Sequence, residues 1–225
     1  MIDPAFLAGI MGRLLAGLPL TLSLAALSVI AGGVLALMLA ALRGGSPVGA
    51  AVVRAYVFIF RGSPLLVQIF LVYYGLSQFP ALRQSVLWPF LRQPYWCAVL
   101  ALALNTAAYG SEIIRGGLGA VPHGTIEAGR ALGLSRWRLY RLVILPLAVR
   151  QALPGYGNEI VIMIKSTALA SIITLMEITG IAQEIISETF RAFEVFLCAG
   201  AIYLALNTLI ARGLWLIERR LSPLV

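Results

Sequence analysis

The sequence predicts an all-α integral membrane protein with five transmembrane helices, its N-terminus outside and its C-terminus inside. Three observations carry that expectation. Of 225 residues, 60% are hydrophobic and only 12% charged, about half the ~25% charged residues usual in a soluble domain, and mean hydropathy is +0.94. Uncharged apolar runs of the about 20 residues needed to cross a bilayer recur along the chain. The basic residues, which give a formal net charge of +8, lie between those runs and are unevenly shared between the two sides.

The first span falls within 14–42. That run is too long for a signal-peptide core and Asp3 stands where a basic cluster would be expected, so it reads as a retained span. Gly44-Gly45-Ser46-Pro47 breaks it. The second span is about 55–77, with an irregular start where Arg61-Gly62-Ser63-Pro64 sets a charge and a helix breaker in an apolar segment. Phe79 to Gln93, framed by Pro80, Pro89 and Pro94, reads as a loop with an interfacial turn. The third span is about 95–114, the fourth about 156–176 with Glu159 and Lys165 inside it, and the fifth about 195–217. All 225 residues are expected to form a single transmembrane domain.

Five spans put the termini on opposite sides. Of the sixteen arginines, twelve fall on the side that holds the 43–54 turn, the 115–150 segment and the C-terminus, against Arg13, Arg83, Arg92 and Arg191 on the other. Cytoplasmic flanks collect basic residues, so the 115–150 segment is expected inside. The same scatter argues against nucleic acid, which requires the charge on one solvated face.

Familiar catalytic chemistry is missing from the sequence. No glycine-rich turn ends in Gly-Lys-Ser/Thr, and the single Lys165 follows Met163-Ile164. One histidine, His123, cannot assemble a zinc hydrolase site. Cys97 and Cys198 sit in apolar runs without metal-ligand spacing and read as small core residues. No metal site, cofactor or catalytic residue is expected in this chain. A membrane protein with no energy source of its own couples to a separate motor, runs on an ion gradient, or forms a pore.

The polar stretch between the third and fourth spans separates these readings. Thr125 is read as an N-cap, Glu127 as a first-turn acid, and Ala128, Ala131 and Leu132 as a small apolar stripe ending at Gly133. Ser135 can cap a second short helix, and Leu145-Pro146 marks a break before the next span. The run Glu127-Ala128-Gly129, then Gly133, then Leu145-Pro146 resembles the EAA loop of type I ATP-binding-cassette importer permeases in residue types and spacing. Gly129 stands where the pattern has Ala, and Val143 where it has Ile; weaker helix propensity is expected at Gly129 without loss of docking.

Phe60-Arg61-Gly62-Ser63-Pro64-Leu65-Leu66-Val67-Gln68, Asn105-Thr106-Ala107-Ala108-Tyr109, and Gly157-Asn158-Glu159 through Lys165-Ser166-Thr167-Ala168-Leu169 are similar to the polar amino acid permeases, nearest the histidine/lysine/arginine and opine subgroup. The resemblance covers about 15–220 and implies the type I importer (MetI-like) fold. It implies a loop at about 119–146 whose residues Glu127, Ala128, Gly129, Arg130, Ala131, Leu132 and Gly133 rest in a groove of a soluble ATPase. Binding of lipid headgroups by the loop arginines is the other reading of that segment. The implied assembly has two ATPase copies carrying ATP and Mg, a second permease subunit that is a related but different chain, an external substrate-binding protein, and the bacterial inner membrane around it. The expected cargo is a polar, basic amino acid or an opine. The alternatives are a neutral or acidic amino acid, or a gradient-driven carrier or pore, although no second copy of the Arg61–Pro64 break or of the 122–146 loop supports a carrier's internal repeat.

An ionisable residue within a span normally faces a cavity or a partner. Glu159 and Lys165 lie about 240° apart on a helix, so they form no intrahelical pair. Glu159 is the candidate for the translocation path, where a carboxylate attracts a cationic substrate strongly in low dielectric; a structural, hydrogen-bonded Glu is the alternative. Asn158, Ser166 and Thr167 are candidate polar contacts, against the habit of such side chains of bonding backbone carbonyls. Asn105 and Tyr109, four apart, share a face and line the path or pack helices together. Glu112 is expected to pair with Arg115.

Overall fold

The computed structural model describes residues 4–221, and no strand occurs among them. Asp3, which entered the reading of the N-terminus, lies outside the described residues. Helices α1 (Pro4–Leu15), α2 (Leu18–Gly45) and α3 (Pro47–Gly62) follow one another closely. The α2–α3 turn forms as its residues dictate: Ser46 is extended and its Oγ accepts from Gly49 N at 3.0 Å, with Pro47 next in the first turn. α4 (Leu65–Phe70) continues through a π turn (Leu71–Gly75) and a 3-10 turn (Leu76–Gln78). The 79–93 loop carries two single-turn helices, α5 (Pro80–Arg83) and α6 (Trp88–Leu91).

α7 (Pro94–Gly119) is the central helix: 61% of its most apolar stretch is buried, against 33% for α2 and 22% for the C-terminal helix. Its small residues explain the position. Ala98, Ala101, Ala103, Ala107, Ala108 and Gly110 are all buried and let neighbouring backbones approach closely. Gly32 of α2 is the matching device, since a Cβ there would stand 2.8 Å from Ala103 O and 2.5 Å from Thr106 Cγ2. At one end of this pair Glu112 binds Arg115 at 2.7 Å, as expected, and also Arg43 from the last turn of α2. Cys97 and Cys198 are both free and buried.

Beyond α7 come α8 (His123–Ala131) and α9 (Arg136–Leu139), a π turn (Tyr140–Ile144), α10 (Leu145–Ser166) and a 3-10 segment (Thr167–Ile173). α11 (Ile178–Thr189) and α12 (Ala192–Leu221) complete the chain. One expectation about this region is corrected. Leu145-Pro146 is not a break: the helical run is continuous from Arg136 to Ile173, and a π turn, Tyr140–Ile144, directly precedes the proline inside that run. The stretch 177–194 holds α11, capped by the buried Glu177 carboxylate, which accepts from Gly180 N at 2.9 Å and Tyr203 OH at 2.5 Å.

α2, α7 and α12 are each long and apolar enough to cross a membrane. Two further helix pairs meet that test together but are bent, by 105° between α3 and the α4 segment and by 48° between the α10 run and α11, which makes up to five spans if each pair crosses once. The first bend coincides with Arg61–Pro64. Ser63, preceding proline, takes φ −106° and ψ 147°, which ends α3.

Candidate functional site

Breaking a helix at Gly62–Pro64 inside an apolar segment leaves carbonyls without their helical donors, a costly state away from water. Two side chains supply donors. Gln68 Nε2, one turn into α4, donates to Phe60 O at 2.8 Å, Ser63 O at 3.1 Å and Ser63 Oγ at 3.0 Å. Asn105 Nδ2 of α7 donates to Phe60 O at 3.2 Å and to Gln68 Oε1 at 3.0 Å. Asn105 thus does both things open to it: it ties α7 to the break, and it lines a cavity.

That cavity, of about 250 Å³, is bounded by Ser63 and Leu65 of the break, Asn105 and Tyr109 of α7, and Glu159, Ile162, Met163 and Ser166 of α10. Four of the six residues singled out for the path, Glu159, Asn105, Tyr109 and Ser166, therefore meet around one space. Glu159 is 6% exposed and accepts one hydrogen bond, from Thr106 Oγ1 to Oε1 at 2.6 Å. No cation lies within ion-pair distance of it among the described residues, and Oε2 has no donor there, although it is not sealed from the cavity. The arrangement is a carboxylate held by one oxygen and offered by the other.

The remaining two candidates do not belong to the cavity. Asn158 is exposed, one residue and so about 100° away from Glu159. Thr167 is buried and donates to Ile164 O at 2.7 Å. Ser166 also donates to a backbone carbonyl, Ile162 O at 3.0 Å, while lining the cavity. Lys165 is exposed, on another side of α10 from Glu159, and makes no ion pair among the described residues.

Thr106, Gln68, Ser63 and Arg61 were not singled out for the path from sequence. Thr106 shares its motif with Asn105 but points a third of a turn away, toward α10. Gln68, a lone amide in an apolar run, was the available signal. Arg61 stacks its guanidinium carbon 4.9 Å from the centre of the Tyr109 ring.

The second candidate region is the 119–146 loop. α8 begins at His123 with Pro122 before it, so Thr125 is not the cap and Glu127, its fifth residue, lies beyond the first turn. Its end is as expected: Gly133 has φ +74°, its N–H reaches Arg130 O at 2.9 Å, and Leu134 N reaches Gly129 O at 3.2 Å, the paired bonds of a Schellman stop. Ser135 Oγ accepts from Arg138 N at 3.4 Å and starts α9. Gly129 is the buried residue of α8, and a Cβ there would stand 2.5 Å from Leu139 Cδ1, so the glycine lets α9 pack close. Glu127, Ala128, Arg130, Ala131, Leu132 and Gly133 are exposed, Leu132 at 81%.

Residues 12–223 match the family described as binding-protein-dependent transport system inner membrane component. The chain is 60% identical over 227 residues to the octopine transport system permease protein of Rhizobium meliloti, covering 98% of this chain and 91% of the relative. It is 49% identical over 213 residues to the nopaline transport system permease protein of Agrobacterium fabrum, covering 94% and 88%. Among solved structures, an amino acid ABC transporter crystallised with histidines superposes with a TM-score of 0.87 at 35% identity, over 98% of this chain and 99% of that one. The fold is therefore the type I ABC importer fold, and the chain belongs to the family of binding-protein-dependent transport system inner membrane components, working as a non-catalytic membrane permease beside ATPase and substrate-binding partners.

Proposed function

We propose that this permease carries a cationic amino acid, or an opine built from one, into the cytoplasm through a path that includes the Glu159 cavity. The observation that carries the reading is the Glu159 carboxylate, buried at the cavity wall with Oε1 held by Thr106 and Oε2 left without a donor among the described residues. In a low-dielectric wall such a group attracts a guanidinium or ammonium far more strongly than in water. The names of the octopine and nopaline relatives support the same cargo class, since both opines bear a guanidinium.

In this reading the chain crosses the bacterial inner membrane five times, N-terminus out and C-terminus in. The exposed face of α8 seats on one of two ATPase copies, which bind the ATP and Mg, and the second half of the path comes from a related permease chain. The bias of arginines toward the side of the 119–146 loop supports this orientation. The test is uptake by the complete transporter carrying Glu159→Gln. Arginine uptake is expected to fall at least tenfold while a neutral amino acid loses much less; equal losses for both would make Glu159 a structural residue.

A further inference from the structure

Arg61 is a charge in an apolar segment that the Glu159 reading leaves without a role. It is exposed, and no carboxylate lies within 4 Å of it among the described residues. Three arginines near helix ends do have such partners, with Arg43 and Arg115 on Glu112 and Arg13 on Glu188 at 2.7 Å, whereas Arg83 and Arg130 have none among the described residues. Its guanidinium stacks on Tyr109, whose side chain is also part of the wall of the Glu159 cavity. A guanidinium over an aromatic face keeps N–H donors that a planar, bidentate acceptor can take up. Along α7 the two charges are held at different levels, Glu159 at Thr106 and Arg61 at Tyr109, three residues or about 4.5 Å apart in rise.

We propose that Arg61 binds the carboxylate of the transported amino acid, so that the cavity holds its ligand by opposite charges at two points, carboxylate at Arg61 and cationic group at Glu159. This rests on the reading of the Glu159 cavity as part of the path. It adds a selection rule applied by the membrane subunit itself: cations without a carboxylate are rejected. The competing role for Arg61, a cation that only complements the C-terminal end of α3, makes no such distinction between ligands.

The experiment is equilibrium binding of radiolabelled L-arginine and of agmatine, its decarboxylated analogue, to the purified membrane complex in nanodiscs without the external binding protein. Wild type is expected to bind arginine at least about tenfold more tightly, the scale of one charge-assisted hydrogen-bonded contact. Arg61→Gln is expected to bring arginine down to the level of agmatine, Arg61→Lys to keep part of the preference, and Glu159→Gln to weaken both ligands. Equal binding of the two ligands by wild type, a comparison that needs no variant to fold, would overturn the proposal, as would equal weakening of both by Arg61→Gln. Failure of wild type to bind either ligand, or no effect of Glu159→Gln, would instead count against the cavity reading and take the inference with it.

Discussion

The hydroxyl of Thr106 on α7 donates to Oε1 of Glu159 on α10 at 2.6 Å, and that bond sets both the position of the carboxylate and which of its oxygens remains available. Thr106→Val keeps the shape and removes the donor. We expect a loss of about 1–2 kcal/mol in stability, the range for polar bonds between membrane helices and for a buried group left unpaired, and a several-fold loss of arginine uptake. Thr106→Ser should retain both. Thermal unfolding in detergent alongside uptake checks this; a valine variant indistinguishable from wild type in both would refute it.

Gln68 donates to two carbonyls and a hydroxyl at the 105° bend and accepts from Asn105. Gln68→Leu fills the volume but strips those acceptors. A destabilisation of about 2–3 kcal/mol is expected, with faster hydrogen exchange concentrated in residues 60–68. Exchange unchanged in that segment would mean that the bend is held by packing alone.

Glu127 is exposed on α8, away from the buried contact of Gly129 with Leu139. Glu127→Lys should leave the stability of the membrane chain within about 0.5 kcal/mol, as is usual for surface changes, while reducing the ATPase recovered with it. Gly129→Val should do worse by a different route, since it displaces Leu139 and moves α8 itself. If the ATPase co-purifies with Glu127→Lys in full, the exposed face of α8 is not its seat.

Much of this architecture is local chemistry and so was legible beforehand. Ser46-Pro47 starts a helix and Gly133 stops one through bonds made within a few residues. Pro146 misled because a proline reads alike whether it ends a helix or is carried within one; here a π turn directly before it lets the helical run continue. α11 escaped notice because Glu184 and Glu188 interrupt its apolar pattern, and the partners of these and of the capping Glu177, Arg13 and Tyr203, lie far away in sequence.

The sequence by itself determined that the chain lives in a bilayer, that a helix starts after Ser46 and another stops at Gly133, and that Glu159, Asn105 and Tyr109 were the polar groups to watch, because composition, caps and helix breakers act over a turn or two. Only the tertiary structure decided that Glu159 faces a cavity while Asn158 faces away, that Thr106 rather than a cation holds the carboxylate, that Gln68 and Asn105 satisfy the broken helix, and that Arg61 stacks on Tyr109. Each of those depends on the rotation of one helix against another. That rotation is set by close contacts such as Gly32 of α2 on Thr106 of α7, between residues that only the packed fold brings together.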